Sequence, residues 1–251
     1  MRIVFTMPVY NEEEGITDFC EEILEIFKEY KTEIIVVNDF SSDSSENVIR
    51  ENLIKKYGSV VTLVNNPKNL GHGPSTIIGI RKALLISSTD IIVTVDGDGQ
   101  FKARDILYLV QEHKKLNMDV TEGVRINRTD PMFRKVSTSV CKFLVFSLSG
   151  KFPNDGNTCL RVYTPKSLEK LINRIPSDFL IPNVLISTYT RIEKLNFTQI
   201  KIDSIQRRGR NSIGSTWKQR FLNIPSRRYL VFCFRATIQW ILAIFRNKEV
   251  V

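Results

Sequence analysis

Apolar residues in the first hundred positions come in short unbroken runs. RIVFTMPVY (2–10), EIIVVNDF (33–40), SVVTLVNN (59–66) and DIIVTVD (90–96) each set Ile, Val, Phe or Leu side by side. A strand covered on both faces reads this way, because neither side of its pleat meets water. Between the runs the period lengthens to that of a helix. Over residues 13–30, Ile16, Phe19, Ile23 and Phe27 share one face. SSDSSENVIRENLIKKYG (41–58) offers caps, a helix and a terminating Gly58, and PSTIIGIRKALLIS (74–87) opens a helix with Pro74 in its first turn. Strands alternating with helices predict βαβ units, hence an α/β fold with a Rossmann-like, mostly parallel sheet flanked by helices. After Gly123 the alternation loosens, and a mixture of strands and helices is expected.

The last apolar segment breaks the rhythm. RRYLVFCFRATIQWILAIFRNK (227–248) holds one charge, Arg235, within the 17 residues from Tyr229 to Phe245, at the lower edge of a membrane span. Arg228, Arg235, Gln239 and Arg246 share one helix face. A narrow polar stripe with flanking arginines and Trp240 fits a helix lying in a membrane interface. It fits equally a helix docked on the domain's own core or on a second subunit.

Composition adds limits. With 251 residues, 42% hydrophobic and 25% charged, the chain suits one large domain with an appendage. Its four cysteines (Cys20, Cys141, Cys159, Cys233) form no CxxC pair, and MRIVFTMPVYNEEEG has no signal-peptide pattern, so a reduced, cytoplasmic setting is expected. Only two histidines, His72 and His113, argue against a multi-histidine zinc site or a Ser-His-Asp triad; both read as surface or turn residues. The net charge of +9 attracts anions, and it is concentrated in residues 201–228, whereas residues 11–25 are acidic. The basic residues cluster beside an apolar helix rather than among exposed aromatics on a sheet, so no nucleic acid partner is expected.

Each early strand ends in a polar loop: PVYNEEE, NDFSSDSS, NNPKNLGHGPS and DGDGQ. In an open parallel sheet these four loops converge on one crevice. Asp39, Asp96 and Asp98, with Gln100, offer the hard oxygen ligands that Mg2+ or Mn2+ takes together with substrate phosphates. Gly97 and Gly99 let the backbone bend and something approach closely. An EF-hand fails, since its sixth and twelfth positions would be Phe101 and Leu107. A dinucleotide fingerprint lacks its third glycine at Thr76, and no P-loop occurs.

Taken in order, MPVYNEEEGI, VVNDFSSDSS, NLGHGPS, VDGDGQF, EGVRINR and PNDGNTCLRVY resemble the family 2 inverting glycosyltransferases of the GT-A fold. The branch most similar is that of the polyprenyl- or dolichyl-phosphate sugar synthases. The resemblance runs over residues 1–215. It implies a nucleotide-sugar-binding half (1–123), an acceptor half (124–215) and a basic amphipathic C-terminal appendage (216–251). It also implies a nucleotide-diphosphate sugar as donor, a divalent cation, and transfer of one sugar with inversion to a polyprenyl phosphate. A glycan hydroxyl acceptor, or a non-catalytic nucleotide-binding protein, stays open. The processive signature Gln-x-x-Arg-Trp is absent.

Matched by motif, Pro8, Tyr10 and Glu12 would lie along the nucleoside. Asp39 would hold the base or ribose, with Asn69 and Gly71 lining the same pocket. Asp96, Gly97 and Asp98 match the family's DxD, with Asp98 and Gln100 on the metal and Asp96 on ribose or sugar. Arg125 and Arg161 would face donor or acceptor phosphates. Asp155 would serve as base for a hydroxyl acceptor, or simply cap a turn in Pro-Asn-Asp-Gly. Arg207 or Arg208 would cover the diphosphate. Arg125, Arg128, Arg134 and Lys135 would meet an anionic acceptor or form a solvated face. VSTSVCKFLVFSLSG (136–150) could cradle lipid, while Phe143, Phe146 and Phe152 read as core. The site would sit at the inner face of the membrane, held there peripherally by the terminal helix. Three departures stand out: Asn38 replaces the first of a usual aspartate pair, His72 a frequent lysine, and Leu160 a usual aromatic.

Overall fold

In the computed structural model, which describes residues 1–126, 132–209 and 227–248, the first apolar run becomes the middle of a sheet. That run is β1 (Arg2–Val9); it pairs in parallel with β2 (Lys31–Asn38) on one side and β4 (Ile91–Thr94) on the other. β3 (Val61–Asn65) extends the sheet beyond β2. Beyond β4 come β6 (Arg161–Tyr163), β5 (Val120–Ile126) and β7 (Phe197–Asp203), giving the order β3-β2-β1-β4-β6-β5-β7. Only β6 runs against its neighbours, pairing antiparallel with both β4 and β5. The mostly parallel α/β sheet is therefore the one expected, and the loosening after Gly123 corresponds to the reversed strand.

β1 feeds both faces because successive side chains alternate. Ile3, Phe5, Met7 and Val9 enter a core closed by α1 (Ile16–Ile26) and α5 (Ala103–Lys115), through Ile16, Phe19, Ile23, Ile106 and Leu109. Val4 enters the opposite core with Ile35, Val37 and Ile92, under α4 (His72–Leu84). There Gly79 is required: a Cβ at that position would stand 2.0 Å from the Thr6 hydroxyl of β1. The second predicted helix is composite: α2 (Ser45–Val48) runs through π-helical turns at Ile49–Ile54 into α3 (Lys55–Tyr57) and stops at Gly58, whose φ is +58°. The strands end where the apolar runs meet polar residues. Tyr10, Asp39 and Asp96 thus lie beyond the strands, in loops at the carboxyl edge.

The later helices α6 (Met132–Ser149), α7 (Pro165–Ile172) and α8 (Pro182–Ile192) cover the second face. The terminal helix α9 (Arg227–Lys248) docks there too, burying Ala236, Trp240 and Ala243. Gln239, in the polar stripe, accepts from Leu180 N at 2.9 Å and donates to Asp178 O at 3.2 Å, as a helix docked on the domain's own core would. Its opposite face leaves Leu230, Val231, Phe234, Ile238, Ile241 and Leu242 exposed. The expectation that Phe143, Phe146 and Phe152 lie in the core is corrected: Phe143 is 60% and Phe152 63% exposed, and Phe146 stacks on Phe152 with centroids 4.0 Å apart. All four cysteines are free thiols.

His113 is no surface residue either. It is buried on α5, with Nδ1 2.9 Å from the Thr121 hydroxyl and Nε2 without a partner. Burial pushes its pKa down to about 4. A folded-state pKa below the unfolded value means the unfolded chain takes up the proton first as pH falls. Stability should therefore be full above about pH 6.5, fall between there and pH 4, and lose up to ~3 kcal/mol by the bottom of that window. Urea titrations at stepped pH check this; His113→Gln should flatten the slope, and an unchanged slope would assign the loss to other groups.

Candidate functional site

The four polar loops are fastened to one another by backbone. Val9 O accepts from Asp39 N at 2.9 Å, Pro8 O from Gly97 N at 3.2 Å, and Asn38 O from Asn66 N at 2.9 Å. Gly97 is needed for this approach, since a Cβ there would lie 2.4 Å from Val9 Cγ2. Pro8 and Tyr10 are half-buried beside these contacts.

Asp39 is buried and holds the third loop in place. Oδ1 accepts from Leu70 N at 2.8 Å and Asn66 Nδ2 at 2.9 Å; Oδ2 accepts from Gly71 N at 2.8 Å. Asn69 donates to Asp39 O at 3.2 Å. Gly71, at φ +93°, then turns the chain into α4. So Asp39, Asn69 and Gly71 do come together, with the carboxylate organising the loop.

The two aspartates after β4 differ in surroundings. Asp96 Oδ1 lies 2.8 Å from His72 Nε2, and the Cys159 thiol also bonds to it. Burial works against ionisation, yet the His72 charge and hydrogen bond, with the Cys159 and Arg125 contributions, hold Asp96 below the usual carboxylate range. Asp98 Oδ1 accepts from the Gln100 amide at 3.2 Å. Burial, and then the Asp96 charge, push it up to about 7. Partial burial pulls the His72 ring down, but Asp96, Asp98 and Asp39 outweigh it and raise its pKa. A turn that crowds two carboxylates until one resists ionising is chemically suited to a divalent cation, whose charge favours both anions. Among the described residues no group of three or more His, Cys, Asp or Glu forms a cage. Mg2+ and Mn2+ take one or two carboxylates and fill the rest with substrate oxygens and water, and the Asp96–Asp98 turn offers two.

Residues 204–209 lie across this turn. Ile205 N donates to Gln100 O at 3.0 Å, Arg208 N to Asp98 O at 3.1 Å, and Arg208 Nε to Gly99 O at 3.3 Å. The Arg208 guanidinium pairs with Glu22 and covers the Phe19 ring at 5.1 Å; Arg207 pairs with Glu12. Both arginines therefore stand at the rim on carboxylate partners. Glu22 was not foreseen. It also accepts from Ala103 N at 2.9 Å, tying the start of α5 to the same strap.

Arg125 and Asp155 meet as expected residues but in an unexpected role. Arg125 Nε reaches Oδ2 at 2.7 Å and Nη2 reaches Oδ1 at 3.1 Å, while Asn157 N adds a bond to Oδ1 at 3.2 Å. Burial lowers the Arg125 pKa, but Asp155 more than restores it. A carboxylate chelated in this way is a poor proton acceptor. Lys135 is exposed on α6; Arg128 and the side chain of Arg134 lie outside the described residues.

Arg161, expected to face a phosphate, lies inside the protein. It is 0% exposed, with Nε 3.3 Å from Glu122 and Nη1 and Nη2 on Thr158 O and the Asn183 side chain and backbone. Glu122, in β5, also takes Arg191 at 2.9 Å and Gln199 at 2.8 Å. The Arg161 guanidinium thereby ties β6 to β5 and to the start of α8. Glu122 had a visible signal: an acid inside VTEGV, an otherwise buried strand, requires a buried counter-charge.

The pattern of glycosyl transferase family 2 matches residues 5–159, more than half of the chain. The chain belongs to that family. One relative is the undecaprenyl-phosphate 4-deoxy-4-formamido-L-arabinose transferase of Serratia proteamaculans (strain 568), 29% identical over 76% of this chain and 57% of its own length. The chain thus spans little more than half of such a relative. Among solved structures, glucosyl-3-phosphoglycerate synthase from Mycobacterium tuberculosis, in complex with Mn2+ and UDP-glucose, aligns with a TM-score of 0.58 at 18% identity, covering 83% of this chain and 72% of that one. The mannosyltransferase PcManGT from Pyrobaculum calidifontis, with GDP-mannose and Mn2+, aligns with a TM-score of 0.59 at 19% identity, covering 98% and 64%. These likenesses establish the GT-A fold of this family 2 member.

Removing the buried acid should expose how much the second half depends on it. Glu122→Gln leaves two buried guanidiniums without their counter-charge, and a loss of about 3–5 kcal/mol is expected. The urea midpoint measures it; a loss under about 1 kcal/mol would mean that the arginines relax to solvent.

Proposed function

We propose that this family 2 member is a metal-dependent inverting glycosyltransferase that moves one sugar from a nucleotide-diphosphate sugar to a polyprenyl phosphate. The observation that carries the reading is the Asp96–Asp98 turn, crowded enough to push Asp98 up to about 7 and laid against the loop that Asp39 holds. Pro8, Tyr10, Glu12, Asp39, Asn69 and Gly71 bind the nucleoside, and Asp96 the ribose or sugar. Asp98 and Gln100 hold the cation. When bound, Mg2+ or Mn2+ neutralises charge that builds on the departing diphosphate.

The chain's own residues do the rest. The loops bring donor and acceptor to one place, so two bound molecules react as one. Arg207 and Arg208 stand beside the turn and exchange Glu12 and Glu22 for the diphosphate, offering a preorganised positive charge where negative charge develops. Arg125 contributes a fixed cation at the acceptor side. The chelation of Asp155 by Arg125 favours a phosphate acceptor, which is already anionic and needs no general base, over a glycan hydroxyl, which does.

Membrane contact has independent support. α6 and α9 are joined by the Ser137–Tyr229 hydroxyl pair. They expose Val136, Val140 and Phe143 on one helix and Leu230, Phe234, Ile238 and Leu242 on the other. Residues 204–248 contain no acidic residue and ten Lys or Arg. An apolar face within an acid-free basic segment suits peripheral binding at an anionic leaflet. Among the described residues, no helix is long and apolar enough to cross a membrane.

Three outcomes are expected. Thermal stabilisation by UDP, GDP, CMP and dTDP should appear for one nucleotide, require Mn2+ or Mg2+, reach about 2.7 kcal/mol at a hundred times the dissociation constant, and vanish in Asp98→Asn. Labelled sugar should then appear on undecaprenyl phosphate; transfer only to a free glycan would replace the acceptor reading. Separately, the protein should co-sediment with vesicles containing phosphatidylglycerol at low salt, and Phe234→Ser with Leu242→Ser should release it. Equal recovery in the supernatant with and without vesicles would sink the membrane reading.

A further inference from the structure

Among the described residues, five other than glycine adopt left-handed backbone: Asn11, Phe40, Ser88, Asn117 and Lys194. Asparagine tolerates this conformation, and Ser88 and Lys194 lie in exposed turns just after α4 and α8. Phe40 is different in kind. A bulky aromatic at φ +58° is strained, where glycine or asparagine would make the same turn without cost. Nor does the ring repay the strain by burial, since Phe40 is 58% exposed.

The strain is held from both sides. Asp39 N is fixed by Val9 O at 2.9 Å, and its carboxylate by the Leu70 and Gly71 amides at 2.8 Å each. On the other side, Ser41 N donates to Asn38 Oδ1 at 3.1 Å, Ser41 Oγ accepts from Asn11 N at 3.0 Å, and Ser42 N donates to Asn11 Oδ1 at 2.8 Å. An unfavourable conformation that its surroundings over-determine is the kind found where a side chain has work to do. Here the place is the carboxyl edge of β2, one residue beyond Asp39 and bonded through it to Asn69, Leu70 and Gly71.

We propose that Phe40 is a stacking platform for the donor's nucleobase and helps set which base is accepted. The inference rests on the nucleotide-sugar reading above and adds a residue to it. The ligand chemistry follows from the side chain. An exposed flat ring with no hydrogen-bonding atom recognises apolar, π or cationic surfaces, and in an anionic nucleotide-sugar donor the flat π surface is the base. Diphosphate and sugar are left to the charged groups after β4.

The test separates base from diphosphate. The full chain with Mn2+ is titrated calorimetrically with UDP, GDP and CDP, and with inorganic pyrophosphate as a probe that lacks the base. Phe40→Gly relieves the strain, so its melting temperature should equal or exceed that of the unaltered protein. Its affinity for the preferred nucleoside diphosphate should fall by about tenfold, the scale of one base–aromatic stack. Pyrophosphate should bind both proteins alike, and Phe40→Trp should keep the nucleotide affinity. Unchanged nucleotide binding by Phe40→Gly overturns the proposal and leaves the donor site standing. Parallel loss of nucleotide and pyrophosphate also overturns it, by showing that Phe40 only shapes the loop. Failure of the unaltered protein to bind any nucleotide removes both readings together.

Discussion

The carboxylate of Asp39 is the joint on which the site depends. It takes the amides of Leu70 and Gly71 and the side chain of Asn66, while its own amide is held by Val9 O. Three loops that share no sequence contact are thereby locked to one another at the carboxyl edge of the sheet. An ionised acceptor of backbone N–H groups makes stronger bonds than a neutral one, and burial strengthens them further. With those loops fixed, Gly97 can lie flat on Pro8 and Val9, and the two aspartates of the next loop arrive at a constant place.

The second half of the protein solves a different problem. β6 enters the sheet against the direction of its neighbours, and its first residue, Arg161, carries a charge into the interior. Glu122 answers it from β5 and binds Arg191 as well, so an ion network lies beside the apolar core in this part of the chain. Such a network contributes little net stability over a well-packed hydrophobic alternative, but it tolerates no missing partner. Its value here is geometric: it sets β5, and hence Arg125 and Asp155, relative to the DxD turn.

The strap of residues 204–209 and the helix α9 complete one gradient of charge. Acidic residues near the start, Glu12 and Glu22, receive the arginines of the strap, and the chain then runs acid-free to an apolar face. The strap and the exposed face of α9 thus belong to one acid-free stretch of the sequence.

Much of this was legible in the residues alone. Unbroken apolar runs determined the buried strands, helical periodicity the covering helices, and the polar ends of the runs the edge where the site lies, because burial and hydrogen bonding act within a few residues of the chain. The DxD turn and its loops could be found for the same reason. The partners of the charges could not. Whether Arg161 faces a phosphate or Glu122, whether Asp155 is a base or a chelate for Arg125, and whether Gln239 meets water or Leu180 N depend on elements brought together from distant positions. A side chain's type states what it can bond, and its local pattern states which face it lies on. Which groups stand opposite it, and how much water remains between them, is decided only when the sheet closes.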